Sequence, residues 1–130
     1  MKRALLDTSM LMYCMQEHVD PYAASLKVEG VSEVNIPLCV IRELSIISRY
    51  RGRRGRLAAA ALKYVDTVAG KRVRIIGCEA EESVDNALLA LAAKCGYVLL
   101  TADAELKRRA RRMGVEAYSP VSSKAGKALA

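Results

Sequence analysis

The 130-residue chain has a single histidine, His18, and four cysteines, Cys14, Cys39, Cys78 and Cys95, with no C-x-x-C pair among them. This spacing excludes the usual zinc sites and a small disulfide scaffold, so the four read as reduced, mostly buried thiols. His18 precedes the Asp20-Pro21 turn with no partner at metal-ligand spacing, and reads as a solvent-facing residue. No apolar run approaches the ~18 residues of a membrane span, and the segment after Met1-Lys2-Arg3 is too short for a signal-peptide core. A soluble, cytoplasmic protein is the expectation. The chain also lacks any internal repeat.

What is present is a composition 52% hydrophobic, enough for one domain with a sizeable core and too little for two. Twenty-one Lys and Arg against fourteen Asp and Glu give a formal charge of +7. Much of the excess sits in two clusters: Arg49, Tyr50, Arg51, Arg53, Arg54 and Arg56, then Lys107, Arg108, Arg109, Arg111 and Arg112. Basic clusters beside a set of carboxylates suggest a polyanion held by cations and worked on at a metal; two solvated faces are the plainer reading.

Strands and helices alternate along the sequence. Residues 3–6 read as a strand leading to a helix capped by Asp7, Thr8 or Ser9. Pro21 opens a short helix to about Lys27, Gly30 to Glu33 form a turn, and Val34 to Ile36 make a strand ended by Pro37. Leu38 to about Tyr50 is helical; Arg51 to Gly55 interrupts, and an alanine-rich helix resumes from Arg56 to Ala69. Val73 to Ile76 is a strand. The acidic turn Glu79 to Glu82 leads to Ser83, the cap of a helix reaching Lys94 or Cys95. Tyr97 to Leu100 is apolar on both faces, as a central parallel strand must be. Asp103 to Met113 is helical and Val115 to Tyr118 a strand at the sheet edge. The pattern predicts an α/β domain with a parallel sheet over residues 1–118, followed by a flexible, weakly basic tail over 119–130.

Four acids stand out. Asp7 is the first residue after a strand, and Asp103 follows Leu100 after Thr101 and Ala102. Either can be simply a helix cap, a role Thr101 could share. Asp85 lies in the first turn of its helix, where a carboxylate suits the macrodipole, yet at about 100° per residue it falls between Leu88 and Leu89. Glu43 falls between Ile46 and Ile47. An ionised carboxylate on an apolar face needs a cation, either an arginine or a metal ion. A divalent ion would serve all four acids, and a set of hard oxygens without His or Cys suits Mg²⁺ or Mn²⁺.

Four motifs, Leu5-Leu6-Asp7-Thr8-Ser9, Val40-Ile41-Arg42-Glu43-Leu44 after Ile36-Pro37, Ser83-Val84-Asp85-Asn86-Ala87-Leu88 and Thr101-Ala102-Asp103-Ala104-Glu105-Leu106, occur in the order and spacing of the PIN-domain nucleases. Between residues 4 and 118 the chain resembles that family, its small archaeal single-domain members most of all and VapC-type toxins more distantly. The resemblance implies a three-layer α/β/α fold with a mostly parallel sheet of four to five strands. It also implies a ribonuclease site for single-stranded RNA, in which Asp7, Glu43, Asp85 and Asp103 are both the catalytic residues and the ligands of one or two Mg²⁺ or Mn²⁺ ions.

Ser9, Thr101 and Asn86 would support this site. Ala102 and Asn86 depart from the family pattern, which often has Asn and a second acid there; both changes weaken support around the ligands without removing one. The clusters from Arg49 to Arg56 and from Lys107 to Arg111 would hold RNA, with Tyr50 available for stacking. Three roles fit the resemblance: ribosomal RNA processing with a ribosome-assembly partner, a toxin with its antitoxin, or an RNA-binding scaffold with little turnover. A homodimer is also expected, for which Leu11, Met12, Cys14 and Met15 offer either core or interface.

Overall fold

The computed structural model describes residues 1–79, 83–121 and 128–129. Its elements are β1 (Lys2–Leu6), α1 (Thr8–Gln16), α2 (Pro21–Ser25), β2 (Val31–Pro37), α3 (Leu38–Ile47), α4 (Arg53–Val68), β3 (Arg74–Ile76), α5 (Val84–Cys95), β4 (Val98–Leu100), α6 (Ala104–Arg112) and β5 (Ala117–Tyr118). The five strands form one all-parallel sheet in the order β3-β2-β1-β4-β5, flanked by helices in a three-layer α/β/α arrangement. Ala4, Leu5, Leu6, Leu99 and Leu100 are fully buried, because β1 and β4 run through the middle of a sheet covered on both faces.

The connectivity positions the site. The chain builds outward from β1 through β2 to β3, then returns to place β4 on the other side of β1. Strand order therefore reverses at β1, and a crevice opens at the carboxyl ends there. Leu6 pairs with Leu100, so Asp7 and Thr101 leave the sheet side by side.

Several expectations are corrected. The sheet claims Val31, Ser32 and Glu33, which read as turn: Lys2 aligns with Val31 and Arg3 with Glu33, and of the expected turn only Gly30, with φ +87°, lies outside the strand, closing a turn over residues 26–30. Glu33 is tolerated in the strand because its carboxylate accepts from Asn35 at 3.0 Å and Arg74 at 3.1 Å. Helix α3 ends at Ile47, and α4 opens at Arg53 with Gly55 already inside it. Gly52, with φ +93°, makes the turn. Gly55 serves a different purpose: a Cβ there would stand 1.9 Å from the Tyr50 carbonyl oxygen, so only glycine lets the two helices meet this closely.

The cysteines differ most from expectation. Cys39 and Cys78 form a disulfide, with Cα atoms 5.7 Å apart. Pro37 pairs with Ile76 in the β2–β3 ladder, and the two cysteines each lie two residues further on, so register brings them together across 39 residues of sequence. Cys14 is free and buried, while Cys95 is free and exposed rather than buried. Leu11, Met12 and Cys14 belong to the core rather than to an outer face, with Met15 packed against them. His18 is exposed.

Pro120–Val121 and Ala128–Leu129 form a short antiparallel ladder, β6 and β7, within the segment expected to be a tail. Residues 122–127 and 130 of that segment, and residues 80–82 of the acidic turn before Ser83, lie outside the described residues. Among the described residues no helix is long and apolar enough to cross a membrane.

Candidate active site

Asp7 is the best-anchored of the four acids. It is the N-cap of α1, with Oδ1 accepting from the Thr8 backbone N–H at 2.7 Å. Its Oδ2 accepts from the hydroxyls of Ser9 and Thr101, each at 2.7 Å. Those hydroxyls in turn accept backbone N–H groups: Ala102 N–H donates to Ser9 Oγ at 3.0 Å and Asp103 N–H to Thr101 Oγ1 at 3.0 Å. The start of α1 is thereby tied to the loop after β4. Asp103 caps α6 through Glu105 N–H at 2.9 Å and Leu106 N–H at 3.2 Å. Its capping role and its place at the site are thus compatible.

Glu43 comes from the middle of α3 and Asp85 from the first turn of α5, whose cap is Ser83. All four carboxylates line one cleft of about 650 Å³ at the carboxyl ends of the strands. Their charges affect one another. Burial pushes the Asp7 carboxyl above the ordinary aspartate range; hydrogen bonds from Thr101, Ser9 and Thr8 oppose this, and the charge of Asp85 adds to it. Asp85 is raised by burial first, then by the charges of Asp103 and Glu43, with Arg109 opposing.

Among the described residues no three acidic, cysteine or histidine side chains stand close enough to close on one ion. The donor chemistry nevertheless fits a hard divalent cation: the acidic group is all oxygen, mutually repelling, and has one strongly anchored member in Asp7. Mg²⁺ keeps several of its waters, so contact through water to some of these acids is ordinary coordination.

Residues 4–119 match the sequence profile described as PIN like domain. The chain belongs to the PIN-like domain family. It is 33% identical over 113 residues to Ribonuclease VapC9 of Archaeoglobus fulgidus, covering 86% of this chain and 78% of that protein. Its fold is similar to that of the PIN domain endonuclease Utp24, with TM-score 0.73 at 20% identity over 98% of this chain and 90% of the other. A domain of a functionally unknown protein from Methanocaldococcus jannaschii is similar as well, with TM-score 0.69 at 18% identity over 95% and 94% of the two chains.

Within this PIN-like frame the basic residues divide. Arg53 and Arg54, in the first turn of α4, line the acidic cleft. Arg49, Tyr50, Arg51 and Arg56 are exposed around the α3–α4 corner, outside the cleft lining. On α6, Lys107 donates to Ser119 Oγ at 2.9 Å, Arg108 pairs with Glu105 at 2.7 Å and Arg111 donates to the Ala117 carbonyl at 2.7 Å. None of these three lines the acidic cleft. Asn86 makes no hydrogen bond to a carboxylate among the described residues; its Oδ1 accepts from Arg109 at 2.7 Å, which holds that cation where it acts on Asp85.

Sequence reasoning missed Thr8, Met12, Tyr13, Gln16 and Leu57, all of which line the cleft. The available signal was helical spacing: Thr8, Met12 and Gln16 recur every four residues from Asp7's end of α1, as do Ser9 and Tyr13.

Proposed function

We propose that this PIN-like protein is a metal-dependent endoribonuclease that hydrolyses phosphodiester bonds in single-stranded RNA. The observation that carries this is the convergence of Asp7, Glu43, Asp85 and Asp103 from four separate elements on one cleft flanked by Arg53 and Arg54. A cluster of acids that only capped helices would have no reason to include Glu43, which caps nothing.

Asp7, Glu43 and Asp103, with Asp85 directly or through water, would hold one or two Mg²⁺ or Mn²⁺ ions. A bound ion would supply Lewis-acid charge on the phosphate and lower the pKa of nearby water, so that it can give up a proton and attack as hydroxide. The Ser9 and Thr101 hydroxyls fix the rotamer of Asp7 and leave a lone pair of Oδ1 available. Arg53 and Arg54 provide the positive charge that brings an RNA phosphate to an acidic pocket that would otherwise repel it. The outer cations from Arg49 to Arg56 and on α6 extend this field to flanking phosphates.

Cleavage of single-stranded RNA with Mn²⁺ tests the reading: the wild type should cut, and Asp7→Asn should lose about 10²-fold or more of that rate. Equal rates would remove the assignment. The likeness to a VapC-named ribonuclease favours a toxin restrained by an antitoxin as the cellular role over ribosomal RNA processing. Growth arrest on expression, relieved by a neighbouring gene product, would select the toxin.

A further inference from the structure

The acidic cleft continues beyond its carboxylates. Its α1 wall runs from Thr8 and Ser9 through Met12 and Tyr13 to Gln16, roughly 12 Å at about 1.5 Å per residue. The facing wall is the first turn of α4, with Arg53 and Arg54 followed one turn later by Leu57. Along α1, away from Asp7, the lining passes from hydroxyls through Met12 and Tyr13 to the Gln16 carboxamide, and α4 adds the Arg53 and Arg54 guanidinium groups and Leu57. Carboxylates and cations suit the phosphate end of a nucleotide, and an aromatic ring with apolar neighbours suits its base.

Resting on the ribonuclease reading, we infer that the far end of this cleft is a nucleobase pocket, in which an unpaired RNA base stacks on Tyr13 beside Met12 and Leu57 while the Gln16 amide meets its edge. Three observations support it. The cleft, at about 650 Å³, is large enough for a nucleotide. Tyr13 lines the cleft while only half-buried, and its buried hydroxyl has no hydrogen-bond partner among the described residues, so no polar contact ties the ring away from a stacked base. Gln16 is exposed, and among the described residues its side chain makes only the 3.5 Å contact with Glu17, leaving amide donors and an acceptor for a base edge. Charge decides between an RNA base and a peptide side chain as occupant: Arg53 and Arg54 line the same cleft as Tyr13 and the acids, and give it cations for the phosphate that links two nucleotides.

The test is base discrimination. Fluorescein-labelled single-stranded RNA hexamers of A, C, G or U are titrated against the full chain in EDTA at low salt. In parallel, cleavage ends are mapped in a random-sequence RNA pool with Mn²⁺. The wild type should prefer some bases by about tenfold, and Gln16→Leu should bring the four hexamers nearly level and flatten the preference beside the cut, because a polar edge contact supplies such discrimination. Tyr13→Ala should weaken all four hexamers by about tenfold, the loss of one stacked base. Tyr13→Phe keeps the ring and should bind within about twofold of the wild type. It thereby separates loss of stacking from loss of folding. Equal wild-type affinity for all four hexamers, a preference unchanged in Gln16→Leu, or affinities unchanged in Tyr13→Ala would each overturn the pocket. If no strand of the pool is cut, the ribonuclease reading fails, and the hexamer titration still decides whether a base is read here.

Discussion

Asp7 shows how one side chain can be both a structural cap and a site residue. Its two oxygens take a backbone N–H and two hydroxyls, and the Thr101 hydroxyl also accepts the Asp103 N–H, so Thr101 links two of the four acids. Thr101→Val keeps the shape and removes that link; activity with Mn²⁺ should fall roughly 10- to 100-fold, and stability by about 1–3 kcal/mol. A full-rate Thr101→Val would show that Asp7 needs no such support. The raised acids also predict a pH dependence. Asp7 and Asp85 both titrate above the 3.8 of a free aspartate, so in the window from there up to their folded values the folded chain binds more protons than the unfolded one. Their contribution to stability is therefore lost as pH rises through those folded values. A divalent ion offsets the repulsion between ionised carboxylates, so Mn²⁺ should raise the melting midpoint more at pH 7 than near pH 4, by differential scanning at both. At this scale Asp7 and Asp103 were legible as acids at strand ends, and Glu43 and Asp85 as carboxylates between apolar helical neighbours, although Ile46 beside Glu43 is exposed in the fold. Tyr13 and Gln16 were not, because an aromatic and an amide on a helix look like any amphipathic surface.

Helix α3 is held at both ends by contacts that periodicity could not reveal. At its start the Cys39–Cys78 disulfide ties it to the segment after β3, one turn before Glu43. At its far end the Tyr50 carbonyl packs against Gly55 of α4. Gly55→Ala should lose about 1–3 kcal/mol, read in urea melts, since backbone atoms on both sides must shift to admit the methyl group. Thiol labelling checks the cysteines: under non-reducing conditions the native chain should react at Cys95 alone, and the unfolded chain at Cys95 and Cys14. Burial pushes the Cys14 thiol up to about 12, so it should resist alkylation until the fold opens. Two thiols labelled natively would contradict the pairing. Helix and strand identities were legible from period and flanking glycines. The starts of β2 and α4 were not, because ladder pairing with β1 and a close helix contact overrode the local turn signals.

For the molecule as a whole, the order β3-β2-β1-β4-β5 brings acids separated by up to 96 positions, Asp7 to Asp103, to one crevice, which Arg53 and Arg54 of a chain of charge +7 also line. Alternating elements made the parallel sheet legible, and four short motifs pointed to the site, whereas which cations face the acids depends on three-dimensional placement. Arg53 and Arg54 do; Arg108 is paired with Glu105 away from the cleft. RNA affinity should fall with salt, and replacing Arg53 and Arg54 with alanine should flatten the log–log slope by roughly 1.4, from two contacts at about 0.7 each on a single strand. Arg108→Ala should change it less. Whether the four carboxylates act together on a cation is decided by Mn²⁺ anomalous scattering from crystals of protein shown to cut RNA. Manganese should lie among Asp7, Glu43, Asp85 and Asp103, with Asp7 in contact. Active protein whose manganese lies elsewhere, with none among these carboxylates, would contradict it.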